Sequence, residues 1–456
     1  MTVTSPAPTD TARAGPSRLR RARWVLGPAI GVALVVTARL AGTAIQAHGG
    51  RLRVGQTFPM AGSWRPGVSP WLAIPVAAAA ITLLAMPRLV RALRWRWVVA
   101  VSAPVSAGWA VALALGYGPS GLTDPLSSPN EYPHDVPSVR HLSDLLTGFT
   151  GHIVDPANGQ VWAPHVAGHP PGALGLFVLL DRIGLAGLGW AAALCIAAGS
   201  LAAPAVLATV RLLAGEPVAR RAALLVPVAP AALYVATTAD ALFAAVAAAG
   251  LCALAYACRR RGPRGDLLAA LAGLALGACL FLSYGLGLLV IPACAIGLAH
   301  RRFRPLLVGG AVVLAMLLAA KLAGFDWLTG LRLAAERTRE GPLGVHGPVA
   351  WQSRPGWYFA FADVAALAVC VGPVTLAGLG MLRRNWFALL PVAMLAAVAG
   401  AVLSDLSRGE VERIWLPFAV WLLPCAALVP TRRDRPLLAV QLGWAVLVTA
   451  MVHTWW

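Results

Sequence analysis

Runs of about 18 to 22 apolar residues recur along the whole chain, and that recurrence limits what it can fold into. As a helix, a run of this length spans the roughly 30 Å hydrocarbon core of a bilayer, and in lipid only helices and closed barrels satisfy their own backbone. Gly, Pro and Arg clusters divide the runs into segments starting near 24, 70, 97, 188, 222, 240, 266, 285, 305, 357, 386, 413 and 436. The expectation is an all-α polytopic membrane protein with about 13 transmembrane helices, in a range of 12 to 14.

Charge distribution supports that class. A net charge of +19 in a soluble chain would suggest nucleic acid, but only 12% of these residues are charged and 59% are hydrophobic. Most of the arginines form short clusters between apolar runs, such as Arg220/Arg221, Arg259 to Arg264, Arg301 to Arg304, Arg383/Arg384 and Arg432 to Arg435. This is the positive-inside pattern and implies no nucleic-acid partner. It sets the N-terminus in the cytoplasm, with a disordered tail at 1–17 ahead of a single transmembrane domain at 18–456. Residues 172–185 are short for a crossing, and a crossing there would put later Arg clusters outside, so they are expected to lie at the outer face or to dip and return. The seven cysteines fall in or beside apolar runs with no metal-ligand spacing, and read as packing residues. A composition rich in Ala, Gly, Pro and Arg, with Lys321 as its single lysine, resembles a high-GC bacterial proteome and points to the plasma membrane.

One polar interval interrupts this apolar chain most strongly, the predicted outer loop 118–171. It carries His134, His141, His152, His165 and His169 with Asp124, Glu131, Asp135, Asp144 and Asp155. Its densest run is Asn130-Glu131-Tyr132-Pro133-His134-Asp135. A carboxylate held near the membrane surface gains basicity by partial desolvation, which suits Glu131, Asp135 or Asp124 to general-base work on a hydroxyl. Ordinary solvated loop acids are the bland alternative. Further on, His169-Pro170-Pro171-Gly172 reads as a helix N-terminus with an imidazole beside it, a place for an anion such as phosphate or simply for a capping His. His165 and His169 with a loop carboxylate also form a possible divalent-cation set if the segment is helical.

Two more outer loops are predicted, at 324–356 and 404–413. The second holds Arg408-Gly409-Glu410-Val411-Glu412-Arg413 at the head of an apolar run, where a guanidinium fork suits phosphate and mutual pairing is the rival reading. The first holds Arg332, Arg337, Arg339, His346 and Trp351, whose ring could stack on a sugar or belong to the interfacial aromatic belt. Asp240, after Thr237-Thr238-Ala239, and Asp363 sit near span ends, where an acid is a functional hint and helix capping the rival.

A long acidic first outer loop closed by His169-Pro170-Pro171-Gly172, with Thr238-Ala239-Asp240-Ala241-Leu242-Phe243 opening a later span, resembles the GT-C glycosyltransferases, multi-span enzymes that use lipid-phosphate-linked sugars. The resemblance covers about 97 to 260, and its motifs are short. The family usually places its acid close after its first span, whereas here two extra spans come earlier, so which of Asp124, Glu131 and Asp135 matches the family's acid stays open. The resemblance implies a GT-C-like fold with a long helical or irregular first catalytic loop. It also implies inverting transfer of a sugar from a polyprenyl phosphate to an envelope glycan, lipid or protein, with a loop carboxylate as base. His169, His165, Arg408 and Arg413 would then face the donor phosphate, and Tyr132, Asp240, Glu412 and Trp351 would line the substrate site. A secondary transporter, a lipid flippase and a non-catalytic scaffold are the alternatives.

Overall fold

A computed structural model of the chain describes residues 18–344, 347–383, 385–431 and 433–456. The expected tail 1–17, along with His346, Arg384 and Arg432, lies outside the described residues, as do the side chains of 18–22, Asn158 and Trp386. The chain is all-α and polytopic, and nine helices among the described residues are long and apolar enough to cross a membrane.

Helix α1 (Arg18–Ala47) is followed by α2 (Ala73–Ala92) and α3 (Trp95–Leu115). After the polar interval come α4 (Pro171–Arg182), α5 (Leu188–Gly199), α6 (Ala202–Ala214), α7 (Glu216–Ala223) and α8 (Ala239–Arg259). The chain continues through α9 (Pro263–Leu282), α10 (Val290–His300), α11 (Arg304–Leu322), α12 (Trp327–Glu340), α13 (Gly356–Leu379), α14 (Trp386–Ser404) and α15 (Asp434–Met451). Burial orders them: 72% of the apolar window is buried in α8 and in α13, against 17% in α1 and in α11. The first pair forms the centre and the second pair the perimeter, where Val32, Leu40, Leu307 and Leu314 are exposed as in a helix that faces lipid.

Three segments expected as spans take another form. Near 222, 285 and 413 the chain runs as short turns: Val226–Val228 and Pro230–Tyr234, then Tyr284–Leu289 ahead of α10, then Val411–Ile414, Leu416–Ala419 and Leu423–Leu428. In the first and third, Pro227, Pro230, Pro417 and Pro424 each remove a backbone donor, which stops an α-helix. Such broken backbone is tolerated because protein encloses it; 224–235 and 415–427 are buried throughout. The central helix α13 bends to fit beside them. Its Gly372 takes φ 79 and ψ 165 before Pro373, and a side chain there would meet the ring of Pro230.

Helix α4 is 12 residues long, about 18 Å, too short for a bilayer. Arg182 at its end donates to the carbonyls of Val139 (2.7 Å) and Arg140 (2.9 Å), so the helix lies along the polar interval that precedes it.

The connections sort onto two faces. One is basic: Arg221 pairs with Asp434 (2.8 Å) and Arg304 with Asp266 (2.8 Å), and Arg220 donates to the carbonyls of Val90 and Leu93 at the end of α2. On the other face, the residues between α1 and α2 meet three distant stretches. Strand β1 (Gly62–Trp64) pairs antiparallel with β2 (Val452–Thr454), Ala61 donates to Glu412, and Arg354 donates to the carbonyls of Leu52, Arg53 and Arg408. Leu343 donates to the carbonyl of Val154, tying 324–356 to the long polar interval.

Candidate functional site

Two short turns in the polar interval build the first half of the site. Glu131 precedes the turn Tyr132–Asp135, and His165 lies in the turn Pro164–Ala167. Two backbone donors lace the turns together: the His165 amide donates to the Asn130 carbonyl (3.2 Å), and the Ala163 amide donates to Asp135 Oδ2 (2.6 Å). The lacing sets His165 Nδ1 2.8 Å from Glu131 Oε1. Pro133, second in its turn, and Pro164, first in the other, fix the backbone that makes this register possible.

The second half comes from the run 408–413. Arg413 Nη1 donates to Asp240 Oδ2 (2.7 Å), from the first turn of α8, and Nη2 donates to Glu410 Oε2 (3.1 Å). The same Nη2 stands 2.9 Å from His165 Nε2. Glu410 also accepts from Arg354 (3.1 Å) through its other oxygen, and the guanidinium of Arg413 lies 4.0 Å from the ring centre of Trp456. Glu131, His165, Arg413, Asp240 and Glu410, which span most of the sequence, thus form one continuous cluster. It is nearly sealed, with side-chain exposures of 3% for Glu131, 3% for Arg413, 5% for Asp240, 14% for His165 and 17% for Glu410.

Burial makes the electrostatics strong. It opposes the charge on Glu131, but His165 and Arg413 outweigh it and hold the carboxyl below its usual range, which overturns the gain in basicity expected from desolvation alone. Burial likewise opposes the charge on Glu410, and His165, Arg354 and Arg413 hold it well below. Burial and Arg413 oppose a second proton on His165, while Glu131 and Glu410 favour it and raise its pKa to about 9. The Arg413 contact at 2.9 Å needs a lone pair on Nε2 and therefore belongs to the neutral ring. With the second proton on, Nε2 turns donor and Glu410 Oε2, 3.6 Å away, is its acceptor, so the cluster has two pairings separated by one proton.

Glu412 and Asp135 stand at the edges. Glu412 accepts from the Ala61 amide (2.8 Å) through one oxygen while the other is buried with no partner among the described residues, and burial lifts its pKa to about 7. Asp135 holds the Ala163 turn with one oxygen, and its other is also unpartnered. Its carboxyl is raised by burial, against the Ala163 bond. It braces the site without touching Arg413.

The remaining expected site residues go elsewhere. Asp124 is exposed, and its charge acts on His453. Arg408 donates to both oxygens of Asp405 (2.7 and 2.6 Å) and to the carbonyls of Trp351 and Arg354, so its fork is already filled. Trp351 carries Arg408 on its ring at 3.6 Å and donates to the Asp405 carbonyl. Both knit 350–356 to 404–410. His169 Nδ1 meets the His165 carbonyl at 2.6 Å, and burial lowers its proton affinity. Tyr132 is buried in a stack with Phe177 (ring centres 5.4 Å apart). Both nitrogens of His165 are engaged, and no group of three or more His, Cys, Asp or Glu side chains among the described residues is arranged to hold a metal.

Glu410 and Trp456 are the members that sequence reasoning did not single out as site residues. A signal existed for Glu410, three residues before Arg413 in one charged run. For Trp456 there was none, since its place depends on the pairing of β1 with β2. No protein-family model and no curated protein matches this chain.

Proposed function

We propose that this chain is a membrane glycosyltransferase of GT-C type, moving a sugar from a polyprenyl-phosphate donor to a hydroxyl of an envelope glycan, lipid or protein at the outer face of a bacterial plasma membrane. The observation that carries the reading is the link Glu131–His165–Arg413, at 2.8 and 2.9 Å, which joins a proton acceptor to a phosphate-compatible cation. Glu131 bonds His165 through Oε1, and no hydrogen bond among the described residues uses Oε2. In the proposed step Oε2 takes the acceptor's hydroxyl proton, the freed oxygen attacks the anomeric carbon from the face opposite the phosphate, and the C–O bond to phosphate breaks with its electrons on the leaving oxygen. Arg413 balances the charge of the departing polyprenyl phosphate. The Nε of Arg413 is buried with no partner among the described residues, a donor that a phosphate oxygen would satisfy. Asp240 and Glu410 orient the guanidinium.

The crossing pattern proposed with this function keeps 13 passes and a cytoplasmic N-terminus. It is supported by the sorting of Arg220, Arg221 and Arg304 onto the face opposite the cluster. The near-complete sealing of the cluster favours one rival, an occluded transporter whose charges would serve a coupled substrate. One assay separates the two. Purified protein supplied with polyprenyl-phosphate sugars and a hydroxyl acceptor should release polyprenyl phosphate, and Glu131→Gln should not. Substrate uptake into proteoliposomes with no lipid phosphate released would give the cluster to transport.

A further inference from the structure

On the basic face, away from the cluster, an open recess of about 890 Å³ lies between the end of α2, helix α7 and the start of α15. Among the described residues five arginines line it, Arg91, Arg220, Arg221, Arg433 and Arg435, against the single acid Asp434. They divide into two groups. Arg220 and Arg221 are fixed parts of the wall: Arg220 binds Glu216 and the carbonyls of Val90 and Leu93, while Arg221 binds Asp434 and the carbonyls of Ala427 and Val429. Arg91, Arg433 and Arg435 are exposed and have no ion pair or side-chain hydrogen bond among the described residues. Asp434 is already committed to Arg221, so three cations around this hollow are left without a counter-charge.

We propose that this recess binds the phosphate of an anionic phospholipid headgroup. Position selects lipid over a soluble anion. Arg91 is in the last turn of a helix long and apolar enough to cross the membrane, only 22% of whose window is buried in the protein, so the recess opens at the perimeter where a span meets the headgroup layer. Its floor joins Pro87, Val90, Leu224 and Pro436 to the arginines, an apolar surface under a charged rim that matches a glycerol backbone beneath its phosphate. Arginine forks bond two phosphate oxygens at once, and three of them free around one hollow exceed what helix anchoring requires. Elsewhere on this face Arg304 closes on Asp266 with both nitrogens bonded.

Native mass spectrometry of the purified full-length chain, with phosphatidylglycerol or phosphatidylcholine added, tests the assignment. Phosphatidylglycerol should be retained in preference, and Arg433→Ala/Arg435→Ala should lower its retention about tenfold. Arg433→Lys/Arg435→Lys should keep most of the retention, which separates lost charge from lost fold. Arg259→Ala/Arg264→Ala, on the same face but outside the recess, should leave retention unchanged. Equal retention of the two lipids overturns the proposal, as does an unaltered Ala variant or an equal loss in the Arg259/Arg264 control, which would mean diffuse surface attraction. Displacement of the lipid by millimolar inorganic phosphate overturns the lipid source in favour of a soluble anion.

Discussion

Arg413 with Asp240 on one face and Arg304 with Asp266 on the other are the same chemical pair in opposite surroundings. Both bring a guanidinium within 2.8 Å of a carboxylate. The first pair is 3% and 5% exposed and shares its cation with Glu410 and His165; the second is 71% and 33% exposed and stands alone. A pair in water can lose a partner to solvent at little cost, whereas a buried cation deprived of its partner keeps the full penalty of desolvation. The basic face holds its charge where solvent can compensate it. The cluster holds charge where only other charges and hydrogen bonds can compensate it, which is the condition for chemistry or coupling.

Substitutions on both faces test this contrast. The largest expected effect is on turnover: Glu131→Gln keeps the shape but removes the proton acceptor and should lower lipid-phosphate release by about 10²- to 10⁴-fold with expression unchanged, by product assay. Arg304→Ala should leave the rate alone. Next is stability. Asp240→Asn strands a buried guanidinium and should cost about 3–5 kcal/mol in thermal or denaturant unfolding, with Asp266→Asn showing no measurable shift beside it. A small effect of Asp240→Asn would mean that the cluster is wetter than its burial implies.

Proton linkage gives a smaller but more diagnostic signal. The folded pKa of His165 is raised to about 9 from an ordinary 6.5, so its contribution is complete below pH 6.5 and lost as pH rises through 9. Glu412 is raised to about 7 from an ordinary 4.5, so its contribution is lost between pH 4.5 and 7. Melting temperature followed across pH should therefore lose its alkaline slope in His165→Gln and its acidic slope in Glu412→Gln. Unchanged profiles would detach these residues from the network. Least of all, Trp456→Phe keeps a ring in this buried place while weakening its contact with the guanidinium of Arg413, and should cost about 1 kcal/mol, read as a modest drop in unfolding midpoint.

Parts of the site were legible because they are local. The His169-Pro170-Pro171 run does open α4, since two prolines suit a first helical turn, and Thr238-Ala239-Asp240 does open α8. The run Arg408 to Arg413 could not be apportioned in the same way. Its two arginines have the same chemistry and similar neighbours, yet Arg408 closes on Asp405 and Trp351 while Arg413 turns inward to Asp240 and His165. Gly409 at φ 84 and Glu410 at φ 64 reverse the chain between them, and no periodicity in the sequence marks that turn.

Read along the chain alone, the material of the protein is already plain: apolar runs long enough to demand helices in lipid, basic clusters confined to the breaks, and one polar interval that needed water or protein around it. Those are properties of composition and spacing, carried by each segment alone. Only the tertiary structure decided which charges meet. Glu131, Asp240 and Arg413 lie far apart in the chain, and their encounter depends on α8 and α13 taking the centre, on proline-broken segments folding inside them, and on β2 returning to β1. Pairing across such distances is set by how whole helices pack, and packing is a property of all the faces together.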